Sequence, residues 1–185
     1  MDNKYFPNNP NELDRIMRLY EQEIQIRKEW MNECVVQLQH ALKNSTPSMV
    51  IHYATSVINQ AMVIVRILDK DATSSRPKDK ERSKERAKII HDRNPELIEP
   101  PEMLRKIRND YEHFEERMDD WATTSVSKNY VDLIVSDSES GGISGIEETD
   151  KFRQLTAGYL TFWNTEVDLQ EVINWVGKVS RTINN

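Results

Sequence analysis

The sequence predicts a mainly α protein: an up-down bundle of four helices with a small C-terminal β-hairpin or sheet insert and a fifth helix. Three observations carry this. Apolar residues recur at alternating spacings of three and four from Leu13 onward. Charged residues make up 30% and hydrophobic ones 37% of the 185 positions, a balance that suits helices with one wet face better than sheets buried on both sides. Runs with strand character appear only after Ala122.

The first helix is read from Leu13, Met17, Tyr20, Ile24, Met31, Cys34, Leu38 and Ala41, with Arg27 the one break in the pattern. Its length of about thirty residues suggests one member of an elongated bundle. Asn44-Ser45-Thr46-Pro47 ends it and starts the next, with Thr46 as N-cap and Pro47 at the first helical position. The second helix, Ser48 to Asp69, is apolar on most sides (Val50, Ile51, Ala54, Val57, Ile58, Ala61, Ile64, Val65, Leu68) and is expected to be central. His52 on it is expected in the core or at its boundary.

"DKDATSSRPKDKERSKERAK" then reads as a loop running into a wet helix that ends near Ile90. Pro101 is expected to open a fourth helix running to about Trp121, with Leu104, Ile107, Tyr111, Phe114, Met118 and Trp121 as its buried seam. "NYVDLIVSD" reads as a strand and "SESGGISGIEETD" as a loop. "KFRQLTAGYLTFWN" reads as a hairpin turning near Ala157-Gly158. Asp168 caps a last helix with Leu169, Val172, Ile173, Val176 and Val179 inward. Residues 1–122 thus form the helical bundle, and residues 123–185 form a β excursion plus a helix packed on it. Trp121, Trp163 and Trp175 are expected in the core.

The formal net charge is −6, so the surface as a whole does not attract nucleic acid and any RNA site must be a local patch. One such patch exists. Between Lys70 and Arg93 nine Lys or Arg stand against five Asp or Glu. Lys78, Lys80, Arg82, Lys84, Arg86 and Lys88 are therefore candidate RNA-binding residues; the bland alternative is a solvated connection. Cys34 is the only cysteine, so no internal disulfide can form, which fits a reducing cytoplasm. The N-terminus lacks the basic start and apolar core of a secretory signal. Met49 to Leu68 is interrupted by His52, Asn59, Gln60 and Arg66 and is expected to be too polar to span a bilayer. A soluble protein without a membrane segment is the expectation.

The chemistry concentrates in "IRNDYEHFEERMDDW". An Arg four to six residues before a His is worth little alone, since about one match is expected by chance in this composition. Arg86…His91 is indeed a second match. Context separates the two: Arg108 is followed by Asn109, a polar residue able to orient a phosphate or an imidazole, and Arg86 by Ala87. On a plain helix Arg108 and His113 lie roughly 140° apart around the axis. One copy is then a poor active site, whereas two copies facing each other across a twofold axis make a better one. An imidazole can take the proton from a ribose 2′-hydroxyl or deliver one to the leaving 5′-oxygen. A guanidinium can hold the phosphorane oxygens. Asp110, Glu112, Glu115 and Glu116 nearby are expected to repel RNA. A Gly-rich phosphate loop, a nucleophile triad and a zinc site are not indicated, so no cofactor and no metal are expected.

An all-α bundle carrying R-N-x-x-x-H on a late helix resembles the HEPN superfamily. The stretch "LRKIRNDYEHFEERMDDWA" is similar to a group of uncharacterised bacterial HEPN-like proteins with an "RNxxEHFDER" block. A C-terminal "FR…TFW" segment like Phe152-Arg153…Thr161-Phe162-Trp163 belongs to the same likeness; Glu115 stands where the block has Asp. The resemblance implies a homodimeric, metal-independent endoribonuclease in host defence or of toxin-like type, with Arg108, Asn109 and His113 as its composite site. RNA, a second copy of the chain and an inhibitory partner protein are the partners it implies. The superfamily also contains non-catalytic members, so the alternative is a scaffold that dimerises or binds RNA or a nucleotide.

Overall fold

The computed structural model describes residues 3–70, 76–137 and 145–184. Six helices are present among them: α1 (Pro10–Asn44), α2 (Pro47–Leu68), α3 (Pro77–Arg93), α4 (Leu104–Glu112), α5 (Phe114–Thr124) and α6 (Leu169–Asn184). A small sheet holds β1 (Ile134–Ser136), β2 (Arg153–Thr156), β3 (Tyr159–Phe162) and β4 (Thr165–Asp168). The protein is mainly α, as the sequence predicts.

Helix α1 starts at Asn9, whose side chain accepts from the N–H groups of Asn11 and Glu12. It buries Met17, Ile24, Met31 and Leu38, one residue every seven, along one seam. Arg27, the break in that seam, is held by Glu23 and Gln60 and lies over the Trp30 ring. The next helix begins at Pro47 as expected, but the Thr46 hydroxyl makes no capping bond. Helix α2 is the centre of the molecule: all nine of its expected apolar positions are buried, under α1, α3, α4, α6 and the sheet. By length and mean hydropathy (1.3) it could cross a membrane, yet 56% of that window is buried inside the protein, so it behaves as a core helix. His52 is exposed rather than in the core, its ring edge-on to Tyr53.

The third helix extends to Arg93, one turn beyond Ile90. Arg86 and His91 anchor it. Arg86 donates to the carbonyls of Arg66 (2.7 Å) and Ile67 (3.2 Å), and His91 Nε2 lies 3.1 Å from the carbonyl of Leu68. Three orphan carbonyls at the end of α2 are thereby satisfied.

The expected fourth helix is two helices. It begins at Leu104 rather than Pro101 and breaks at His113, where φ is −106° and ψ 43°. The seam therefore does not run unbroken: Leu104 and Ile107 are buried, but Tyr111 and Met118 are exposed, and Asp110 is buried in their place. Phe114 and Trp121 are half-buried.

The sheet order is β1-β2-β3-β4, with β1 parallel to β2 and the other pairs antiparallel. The hairpin turns at Ala157-Gly158, both with positive φ (49° and 87°), the backbone of a tight two-residue turn that favours glycine. A second tight turn at Trp163-Asn164 leads into β4, a strand the sequence reading does not anticipate. Asp168 ends that strand and caps α6 through the N–H groups of Gln170 and Glu171. The expected glycine-rich loop lies partly outside the described residues; Glu148–Asp150 form one 3-10 turn.

One hydrophobic cluster joins the bundle, β2–β4 and α6. On its flank sits an aromatic group centred on Phe152, which is fully buried against Trp121, Tyr130, Phe114 and Trp163. Trp175 is buried, whereas Trp121 and Trp163 are only partly so.

Candidate active site

The two sequence blocks that stand out, around Arg108–Trp121 and around Phe152–Trp163, pack directly on one another. Tyr111 and Phe114 both meet Phe162 edge-on or tilted, with ring centres 6.0 and 5.9 Å away. Arg153 lies over the Phe114 ring at 4.9 Å and is held by Asp132. Burial works against ionisation of Asp132, but the Arg153 guanidinium outweighs it and holds the carboxyl below the usual carboxylate range. The sheet therefore braces both sides of the helix break at His113.

Arg108 and Asn109 lie near the end of α4, and His113 occupies the break itself. The imidazole is 45% exposed, and its Nδ1 lies 3.2 Å from Oε1 of Glu116. In the neutral ring this contact favours the proton on Nδ1 and leaves Nε2 as the basic nitrogen. Neither Nε2 of His113 nor the side chain of the exposed Asn109 has a hydrogen-bond partner among the described residues. Arg108 is more enclosed, at 22% exposure, and ion-pairs with Glu112 one turn on. Glu112 also receives Arg66 from α2 at 3.6 Å. No hydrogen bond joins Arg108 to His113 among the described residues; each is paired with a carboxylate of its own.

The carboxylates around the site are not equivalent. Asp110 is only 4% exposed and accepts hydrogen bonds from Arg117 Nη2 and from the Thr165 hydroxyl, each at 2.5 Å. It is thus withdrawn from any bound phosphate, contrary to the expectation that it repels RNA. Glu115 and Glu116 stay exposed in the first turn of α5, where the helix dipole stabilises them. With His113 they bring one ligand atom each within 4.8 Å of one another.

Asp150 forms a second buried carboxylate, accepting from Trp121 Nε1 (2.8 Å), Ser125 Oγ (2.8 Å) and Ser127 Oγ. Those bonds, led by Ser127, hold its pKa below the ordinary range. Nothing in the sequence marks it, because its partners lie more than twenty positions away. It ties the end of α5 to the segment before β2.

The basic stretch resolves into separate tasks. Arg86 is engaged with the end of α2 and lies over the Tyr20 ring. Arg82 pairs with Asp79 and Lys88 with Asp92. Glu81 and Glu85 of the same helix hold the N-terminal segment at Lys4, Tyr5 and Phe6. Lys78, Lys80 and Lys84 have no partner among the described residues. Lys80 and Lys84 share one helical face.

No protein-family model, no curated protein and no solved structure matches this chain.

Proposed function

We propose that this protein is a metal-independent endoribonuclease of HEPN type, acting as a homodimer with Arg108, Asn109 and His113 as its composite site. One contrast carries the reading. The chain holds two Arg-x4-His pairs, and Arg86 and His91 are both engaged in capping α2. At the other pair, Asn109 is exposed and His113 presents an unpartnered Nε2 with Glu116 behind Nδ1.

In this account Nε2 of one imidazole takes the proton from a ribose 2′-hydroxyl. The 2′-oxygen attacks phosphorus, and the bond to the 5′-oxygen breaks as that oxygen receives a proton from the second copy's imidazole. The products are a 2′,3′-cyclic phosphate and a 5′-hydroxyl. Arg108 bears on the nonbridging oxygens, where charge develops in the transition state, and Asn109 orients the phosphate. Lys78, Lys80 and Lys84 supply the salt-sensitive contacts to flanking phosphates.

The Arg108–Glu112 ion pair favours a second reading, a non-catalytic scaffold in which the same residues hold the helix together. The test measures the oligomeric state by light scattering and incubates the full chain with single-stranded and structured RNA. A dimer that leaves cyclic-phosphate ends supports the enzyme; a dimer that binds RNA and leaves it intact supports the scaffold.

A further inference from the structure

The helix break at His113 is an unusual place for a group that must be held still, and the residues spanning it explain how it is held. Asp110 lies three residues before His113 and Arg117 four residues after it, on different helices. Their side chains meet at 2.5 Å, and the Arg117 backbone N–H donates to the His113 carbonyl at 3.2 Å. The same guanidinium-bearing residue thus grips the backbone of the break and the buried carboxylate of the preceding helix. The third member comes from the sheet: Thr165, at the start of β4 and 1% exposed, donates its hydroxyl to the other oxygen of Asp110 at 2.5 Å. Arg117 Nε is buried with no hydrogen-bond partner among the described residues.

We infer that Thr165 and Asp110 are positioning residues for His113, and that the sheet sets the α4–α5 angle through a Thr165–Asp110–Arg117 bridge. This deepens, and rests on, the ribonuclease reading. Arg108 and Asn109 ride on α4, whereas His113 and Glu116 move with the start of α5. The angle at the break therefore decides whether guanidinium, amide and imidazole can address one phosphate. Displacing a catalytic group by about 1 Å can cost a hundredfold in rate. The β insert is then part of the site through this bridge.

Thr165→Val removes the donor at nearly constant shape, and Thr165→Ser restores it. Glu166→Gln, on the exposed side of the same strand, is the control. Each full-length variant is checked for thermal unfolding, for RNA cleavage at a temperature where it is folded, and for backbone amide shifts over residues 110–117. The expected result for Thr165→Val is a kcat lower by roughly 10- to 100-fold, KM within about twofold, and amide shifts displaced at His113 and Arg117. Thr165→Ser and the control are expected to match wild type in all three. A Thr165→Val protein that is folded and cleaves at the wild-type rate overturns the inference. If wild type itself cleaves no RNA, the ribonuclease reading fails, and the amide shifts decide the rest: displacement at His113 supports the bridge, and unmoved shifts overturn it.

Discussion

Arg108 is ion-paired with Glu112, one turn further along α4, and Glu112 also draws Arg66 from α2. The arginine proposed to meet a phosphate is therefore already neutralised in the single chain. A partly exposed pair within one helix is worth about 0.2–1 kcal/mol, so a phosphate can displace it. Glu112→Gln is expected to raise RNA affinity about two- to fivefold with little change in stability, as read by fluorescence anisotropy with labelled RNA. Unchanged or weaker binding would speak for the structural role of Arg108.

The basic residues of α3 separate into structural and available groups, and substitution tells them apart. Arg86→Ala removes two bonds to helix-end carbonyls and the contact with Tyr20, and is expected to cost about 1–3 kcal/mol in urea unfolding. Lys80→Ala and Lys84→Ala are expected to change stability by less than about 0.5 kcal/mol. Each should instead lower the slope of log affinity against log salt by about 0.7 if its ammonium meets a single-stranded phosphate. An unaltered slope would remove these lysines from the RNA site.

Phe152 is the hub of the aromatic group, with Tyr130 and Trp163 ring centres 4.6 and 4.8 Å away. Phe152→Ala is expected to cost about 3–5 kcal/mol in denaturant unfolding. A loss below about 1 kcal/mol would mean that the sheet does not depend on this cluster.

The acid stability of the protein is expected to reflect Asp150. Its folded pKa lies below the ordinary value of 3.8, held there by Ser127, Ser125 and Trp121. The unfolded chain therefore takes up a proton first as pH falls. The stability this carboxylate contributes is complete above about pH 4 and is lost as pH drops through the lowered folded pKa. Asp150→Asn is expected to be less stable than wild type at pH 7, with the difference shrinking below about pH 4. Acid titration followed by tryptophan fluorescence measures it; a gap independent of pH would contradict the assignment.

Much of the helical core is legible in the sequence because its rule is local. The sevenfold repeat Met17, Ile24, Met31, Leu38 and the near-continuous apolar surface of α2 define their own burial. The same rule misleads at His113. The spacing from Leu104 to Trp121 continues without a miss, yet the chain breaks, exposes Tyr111 and Met118, and buries Asp110. What decides there is a carboxylate satisfied by Arg117 across the break and by Thr165, 55 positions away, and no window of sequence contains that pair. Strand β4 escapes for a related reason. Thr165–Asp168 is four residues long, and its strand character comes from pairing with β3 rather than from its composition. The candidate site is legible as Arg108, Asn109 and His113, and the i,i+3 spacing of Glu116 offers it as a neighbour of the imidazole, whereas the withdrawal of Asp110 from solvent is not legible.

Whether His113 does the chemistry is decided by RNA cleavage with excess EDTA, comparing the purified full chain with His113→Ala. Wild type is expected to leave 2′,3′-cyclic phosphate and 5′-hydroxyl ends, and the variant to lose this activity by at least about a hundredfold with its fold and oligomeric state intact. Equal cleavage by both proteins, or none by wild type on single-stranded and structured RNA alike, would contradict it.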